Sequence, residues 1–259
     1  MTASIERVRD ICLRIVQDAS AIPMAHFRAP LEIVAKADES PVTVADRETE
    51  AFIRGELEKA FPGHGIFGEE YGISGSLDGS SWIIDPIDGT RSFITGHPLF
   101  GMLVGYLEQG TPRMGVVRMP AMDETFIGIP GMGATKNGQP IRCSTTTSLA
   151  DAMVYINEAE RIRAASGSVF SKLCTIGHTR RMAHDCYPHA MVAAGYIDVV
   201  VDFGLEPYDY LPLIGLVEAA GGVMADWDGN ALTLQSDGRV VTAATPDLLG
   251  QVLDVLNSD

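Results

Sequence analysis

The 259-residue chain carries 19 basic and 34 acidic side chains, a net charge of −15, and 46% of its residues are hydrophobic. That much apolar surface excludes a disordered chain. Only four lysines and no basic cluster with interleaved aromatics exclude a nucleic-acid binder, because the surface would repel a phosphate backbone.

Apolar positions Ile5, Val8, Ile11, Cys12, Ile15, Val16 and Ala19 recur at steps of three and four, which predicts one amphipathic helix from Ile5 to Phe27. Thr43 with Asp46 three residues later predicts an N-cap and a second helix that ends at Pro62-Gly63. Short β-type runs follow at Ile66-Phe67, Ser81 to Asp85, Leu99 to Leu107, Arg113 to Met119 and Glu124 to Ile129. The Gly and Pro turns between them predict antiparallel pairing. Beyond about Asp151 strands and helices alternate. Strands are expected at Met153 to Ile156, Thr175 to Gly177, Tyr196 to Val201 and Val240 to Ala244. Helices are expected at Glu158 to Leu173, Asp185 to Gly195, Pro207 to Ala220 and Pro246 to Leu256. Two stacked α/β halves, about 1–150 and 151–259, packed as one unit, are the simplest architecture. No apolar run approaches the 18 or so residues of a membrane span, and the first residues lack an export pattern, so a cytoplasmic protein without membrane contact is expected. Cys12, Cys143, Cys174 and Cys186 are too scattered for a metal or redox motif and read as reduced thiols.

The densest chemical signal is Asp85-Pro-Ile-Asp88-Gly89-Thr90 at the end of an apolar strand. Two carboxylates on one side of a tight turn repel unless a cation lies between them. Asp85, Asp88 and the Ile87 carbonyl suit a hard divalent ion such as Mg²⁺. The same dipeptides also serve as ordinary turns. Glu69 and Glu70 follow another short strand, as a solvated loop or as ligands, and Asp46 either complements its helix dipole or joins the site. Asp209 opens a later helix. All four acidic groups sit at the ends of elements, where sites on α/β scaffolds lie.

Gly68-Glu-Glu70, Asp85-Pro-Ile-Asp88-Gly-Thr90 and Tyr208-Asp209 with a helix ending Glu218-Ala-Ala-Gly-Gly222 together resemble the motifs of the inositol monophosphatase superfamily. These are lithium-sensitive, Mg²⁺-dependent phosphatases, and the resemblance spans nearly the whole chain. Tyr208 stands where the family usually has Trp, Arg91-Ser92 where the inositol phosphatases have Thr-Asn, and Leu213 where they have an inositol-binding acid. The tracts Thr90 to Gly101, His184-Asp-Cys-Tyr187 and Pro207-Tyr-Asp-Tyr210 resemble the histidinol-phosphate phosphatase branch instead.

The resemblance implies a five-layer α-β-α-β-α sandwich of the inositol monophosphatase and fructose-1,6-bisphosphatase type. It implies hydrolysis of a small phosphate monoester, with two or three Mg²⁺ ions and no covalent phosphoenzyme. Glu69, Asp85 and the Ile87 carbonyl would hold the first ion; Asp85, Asp88 and Asp209 would hold the second, with Glu69 helping a third. Thr90 with Asp46 would orient and deprotonate the water, and the Gly89 and Thr90 amides would bind phosphate oxygens. A histidinol leaving group is cationic, so Asp185 is the first candidate for its pocket, with Glu206 second and Arg91 as a phosphate or partner contact. A helix N-cap is the competing role for Asp185. His97, His178, His184 and His189 have no ligand spacing and read as structural or peripheral. Family resemblance and the apolar strands from Leu99 to Ile129 lead us to expect a homodimer. The alternatives are an inositol-1-phosphatase, a broader phosphatase of sugar or nucleotide 3′-phosphates and, least favoured, a catalytically silent metal-binding or interaction protein.

Overall fold

The computed structural model describes residues 4–30, 33–35 and 41–258. The first half runs α1 (Ile5–Ala19), α2 (Ala21–His26), β1 (Ile33–Ala35), β2 (Pro41–Thr43), α3 (Val44–Ala60), β3 (Gly65–Gly68), β4 (Gly72–Ser74), β5 (Ser80–Asp88) and α4 (Thr90–Ile94). It continues with β6 (Gly101–Glu108), β7 (Thr111–Met119), β8 (Glu124–Ile129), β9 (Gly133–Lys136) and β10 (Gln139–Ile141). The second half runs β11 (Met153–Asn157), α5 (Ala159–Ala165), α6 (Gly167–Leu173), β12 (Thr179–Ala183), α7 (Tyr187–Ala193) and β13 (Val199–Phe203). It ends with α8 (Pro207–Ala219), β14 (Val223–Asp226), β15 (Arg239–Ala243) and α9 (Pro246–Asn257).

Eight strands form one sheet in the order β10-β9-β8-β7-β6-β5-β3-β4, and five form another in the order β12-β11-β13-β15-β14. Helices α1 and α3 cover the outer face of the larger sheet. Helices α7 and α8 lie between the sheets, and α5, α6 and α9 flank the smaller sheet from outside. This is the expected five-layer α-β-α-β-α order. Two of the three apolar clusters among the described residues follow from it: Val8, Cys12, Ile53 and Leu57 pack against Trp82, Ile84 and Val104, while α8 and both inner sheet faces share the larger core. Helix α8 touches β5 through β8 directly, because Gly115 leaves room; a Cβ there would stand 1.7 Å from the Pro212 carbonyl oxygen.

Several expectations are corrected. The helix expected from Ile5 to Phe27 is two helices, because the Ser20 hydroxyl donates to the Val16 carbonyl (2.7 Å) and Pro23 is tolerated only in a first turn. The helix expected from Glu158 to Leu173 breaks at Ser166, whose extended backbone ends α5 and whose hydroxyl accepts the Val169 N–H to cap α6. The strand expected at 175–177 lies at β12 instead, since Gly177 adopts a positive φ of 77° and the chain turns there. The helix expected at Asp185 begins at Tyr187, because Asp185 itself has φ 62°. Pairing in the first half is not all antiparallel: β3 runs parallel to β5. Of the strands between Leu99 and Ile129, β6 and β7 pack against α1 on one face, and β6, β7 and β8 pack against α8 on the other. Among the described residues, no helix is long and apolar enough to cross a membrane. All four cysteines are unpaired thiols, three of them buried.

Candidate active site

The geometry begins with a bulge. Asp85 pairs with Leu103 and Asp88 with Gly101, so β5 advances three residues where β6 advances two. In a regular strand Asp85 and Asp88 would face opposite sides; the extra residue turns both carboxylates the same way. The Ile87 N–H donates to Asp85 Oδ1 (3.0 Å) and fixes the turn. Helix α8 starts beside this strand end, where Asp209 Oδ2 accepts the Glu206 N–H (2.7 Å). Asp85, Asp88 and Asp209 thus come together, each offering a carboxylate oxygen within 4.8 Å of the others.

Charge at this point is costly. Burial, followed by the charges of Glu69, Asp88 and Asp209, pushes the Asp85 carboxyl well above the usual carboxylate range. Burial, then Asp185 and Asp209, does the same to Asp88, and burial pushes Asp209 up to about 8. The Asp88 carboxylate accepts the Cys186 N–H, which ties the second half of the chain to this strand end. Three clustered carboxylates with no cationic side chain among the described residues bonded to them are an all-oxygen donor set suited to a hard divalent cation.

Asp46 approaches from α3. Its Oδ2 accepts the Thr43 N–H (2.8 Å) and hydroxyl (2.6 Å), and its Oδ1 faces the Thr90 hydroxyl (3.2 Å). That hydroxyl is shared with the Ile87 carbonyl (3.2 Å). Burial raises the Asp46 carboxyl pKa against the opposing pull of Thr43. Gly89, at φ 85°, makes the turn into α4; a Cβ there would meet the Asp185 carboxyl at 2.6 Å. Beneath α4, Phe27, Phe93 and Phe100 pack ring to ring.

A polar cavity of about 630 Å³ opens over these groups, lined by Glu69, Asp85, Asp88, Arg91, Glu206, Tyr208 and Asp209 among others. It adjoins a lobe of about 180 Å³ lined by Gly89, Thr90, Glu158, Arg161, Asp185 and Asp202. Asp185 is not a helix cap. It holds a left-handed backbone and accepts the Ser92 hydroxyl at 2.5 Å. Arg91 and Glu206 are exposed at the cavity's rim. Of the acids singled out from the sequence, Glu69, Asp85, Asp88, Asp185, Glu206 and Asp209 line one cavity system and Asp46 touches it through Thr90, whereas Glu70 lines neither cavity.

Glu158, Arg161 and Asp202 were missed. Asp202 ends the run Val199-Val-Val, the strand-then-acid pattern that marked Asp85, and Glu158 follows a similar strand one residue later; Arg161 has no such signal. Asp202 is buried, bonded to Asn157 Nδ2 (2.7 Å) and to His189 Nε2 (3.0 Å), whose other ring nitrogen meets Thr242 Oγ1 (2.8 Å). His189 is thereby a structural group. A groove of about 620 Å³ beside α1, near Arg118 and Asn137, is of similar volume to the main cavity and contains no comparable cluster of acids.

A model of the inositol monophosphatase family matches residues 4–258. The chain is 36% identical over 232 residues to a histidinol-phosphatase of Chlorobaculum parvum, covering 89% of this chain and 90% of that one. It is 34% identical over 240 residues to the chloroplastic bifunctional phosphatase IMPL2 of Arabidopsis thaliana, covering 89% and 69%. An inositol monophosphatase structure from Zymomonas mobilis superposes with a TM-score of 0.88 at 33% identity, over 99% of this chain and 100% of the other. With the family's match running almost end to end, the chain belongs to the inositol monophosphatase family, a family of phosphatases.

Proposed function

We propose that the protein is a Mg²⁺-dependent phosphomonoesterase that acts on L-histidinol phosphate. The observation that carries the metal is the set Asp85, Asp88 and Asp209, three acids that disfavour their own charges and present only oxygen. Glu69 and the Ile87 carbonyl complete the set of groups that would hold two or three Mg²⁺ ions. When bound, such ions supply charge neutralisation and Lewis acidity. The chain's own groups do the rest. The Thr90 hydroxyl orients a water and passes its proton toward Asp46, whose raised pKa suits it to accept one. The Gly89 and Thr90 amides and the Arg91 guanidinium hold phosphate oxygens.

The leaving group is read from the smaller lobe. Five carboxylates, Asp88, Glu158, Asp185, Asp202 and Asp209, line it against two guanidiniums, Arg91 and Arg161, and that acidic excess suits an ammonium or imidazolium better than a neutral polyol. Glu206, on the exposed rim of the larger cavity, would meet the outer part of the same group. The name of the Chlorobaculum relative agrees with this choice, while that of the Zymomonas structure keeps inositol 1-phosphate as the second substrate to be compared.

The test is phosphate release from histidinol phosphate and inositol 1-phosphate side by side. EDTA should abolish both and Mg²⁺ should restore them, with histidinol phosphate the faster. Asp185→Asn should lower kcat/KM for histidinol phosphate by roughly 30-fold, equivalent to about 2 kcal/mol, and hardly change inositol 1-phosphate. An equal loss on both substrates would make Asp185 a general structural acid. Full activity in EDTA would remove the metal mechanism.

A further inference from the structure

One turn and two turns along α3 from Asp46, Glu50 and Arg54 form a buried ion pair, with Arg54 Nε donating to Glu50 Oε1 at 2.6 Å. Glu50 is fully buried and Arg54 is 8% exposed. Such a pair returns little net stability, because two charges must be desolvated to make it. The remaining donors and acceptors of both side chains go to one place. The Glu50 carboxylate accepts the N–H groups of Glu70 (2.7 Å) and Tyr71 (3.2 Å). Arg54 donates to the Ser74 hydroxyl (3.1 Å) and the Gly72 carbonyl. All of these belong to the turn and short strand that follow Glu69.

The same segment is also tied to β3, with which β4 pairs antiparallel from Gly68 and Gly72 to Ile66 and Ser74. Strand β4 has three residues, lies at the sheet edge and is largely exposed. On its other side, the Glu69 N–H donates to the Ile84 carbonyl (3.1 Å), next to Asp85. Glu69 is therefore set between a bond to β5 before the turn and the α3 pair just after it. We propose that Glu50 and Arg54 are positioning residues that hold the Glu69 turn against Asp85, so that Glu69 joins Asp85, Asp88 and Asp209 as a preformed set for a divalent cation. This rests on the metal reading of the site. Groups behind a ligand set the orientation that the cation meets, and an ordered set spares the cation the entropy of arranging it.

The test is calorimetric titration of Mg²⁺ into the full chain without substrate, for the unchanged protein, Glu50→Gln and Arg54→Lys. Glu50→Gln keeps the side chain's size but sets an amide donor against two N–H groups and a guanidinium. It should weaken Mg²⁺ binding by about tenfold and speed amide exchange at residues 69–72. Phosphate release should recover to within about twofold at saturating Mg²⁺, the split expected when metal affinity rather than the reacting geometry is changed. Arg54→Lys loses the fork to Ser74 and Gly72 and should weaken binding by about threefold; it decides the question if Glu50→Gln does not fold. Unchanged Mg²⁺ affinity in a folded variant would overturn the proposal and leave the pair as a structural tie. An unchanged protein that takes up no Mg²⁺ would overturn the metal reading itself, and the positioning role with it.

Discussion

Asp209 holds its proton more tightly in the folded protein than in the unfolded chain, with its carboxyl pushed up to about 8 by burial. A carboxyl whose folded pKa lies above its unfolded value favours the folded state fully at low pH. That advantage is lost as pH rises from about 4 to about 8, the window between the two values. Asp85 and Asp88 are shifted in the same direction, so they add to the slope. In metal-free buffer the melting temperature should therefore fall by about 5 °C or more between pH 5.5 and pH 8, and added Mg²⁺ at pH 8 should restore it. Asp209→Asn should flatten the slope, since the amide has no proton to lose. A metal-free melting temperature that rises over this interval, in differential scanning calorimetry, would contradict the reading.

The turn from β5 into α4 is the element on which both halves of the site meet. Gly89 occupies the left-handed region and lies against the Asp185 carboxyl. Gly89→Ala adds backbone strain and drives its methyl into Asp185. Urea unfolding should show a loss of about 1–3 kcal/mol, and phosphate release should fall by about 100-fold or more even where the fold survives. Activity near that of the unchanged protein would show that the turn tolerates a shift. A tight turn that sets two carboxylates on one side was legible in Asp-Pro-Ile-Asp-Gly-Thr through local chemistry, whereas the strand bulge that accomplishes it became visible only in the pairing of β5 with β6. The helix from Pro207 and the strands Arg113 to Met119 and Glu124 to Ile129 were legible for the same reason, their apolar pattern being continuous. The break at Ser20 was only partly legible: Pro23 is a local signal, but the buried Arg118 guanidinium that donates to the Ser20 hydroxyl is 98 residues away in the chain. The smaller lobe was not legible. Glu158 follows β11 and Asp202 lies in the last two residues of β13, and the parallel pairing of these strands brings both to one lobe.

At the scale of the whole molecule, the two sheets share a layer instead of owning one each. Helix α8 contacts β5, β6, β7 and β8 of the larger sheet and β14 of the smaller, and its first turn supplies Asp209 to the strand end of β5. The Cys186 N–H donates to Asp88 across the same boundary. Neither half can then lose its order without exposing the apolar surface that α8 buries for both, so we propose that residues 1–150 and 151–259 unfold together. The two tryptophans are placed to decide this. Trp82 is fully buried in β5 and Trp227 nearly so at the end of β14, one in each half. In Trp82→Phe and Trp227→Phe, each retaining one reporter, the fluorescence transition in urea should coincide with the loss of helical circular dichroism measured on the same variant. Each substitution will shift its variant's overall stability, so the comparison is made within a variant and not between them. A fluorescence midpoint separated from the circular dichroism midpoint in either variant would mean that the shared helix does not couple the sheets, and that the two halves are independent folding units.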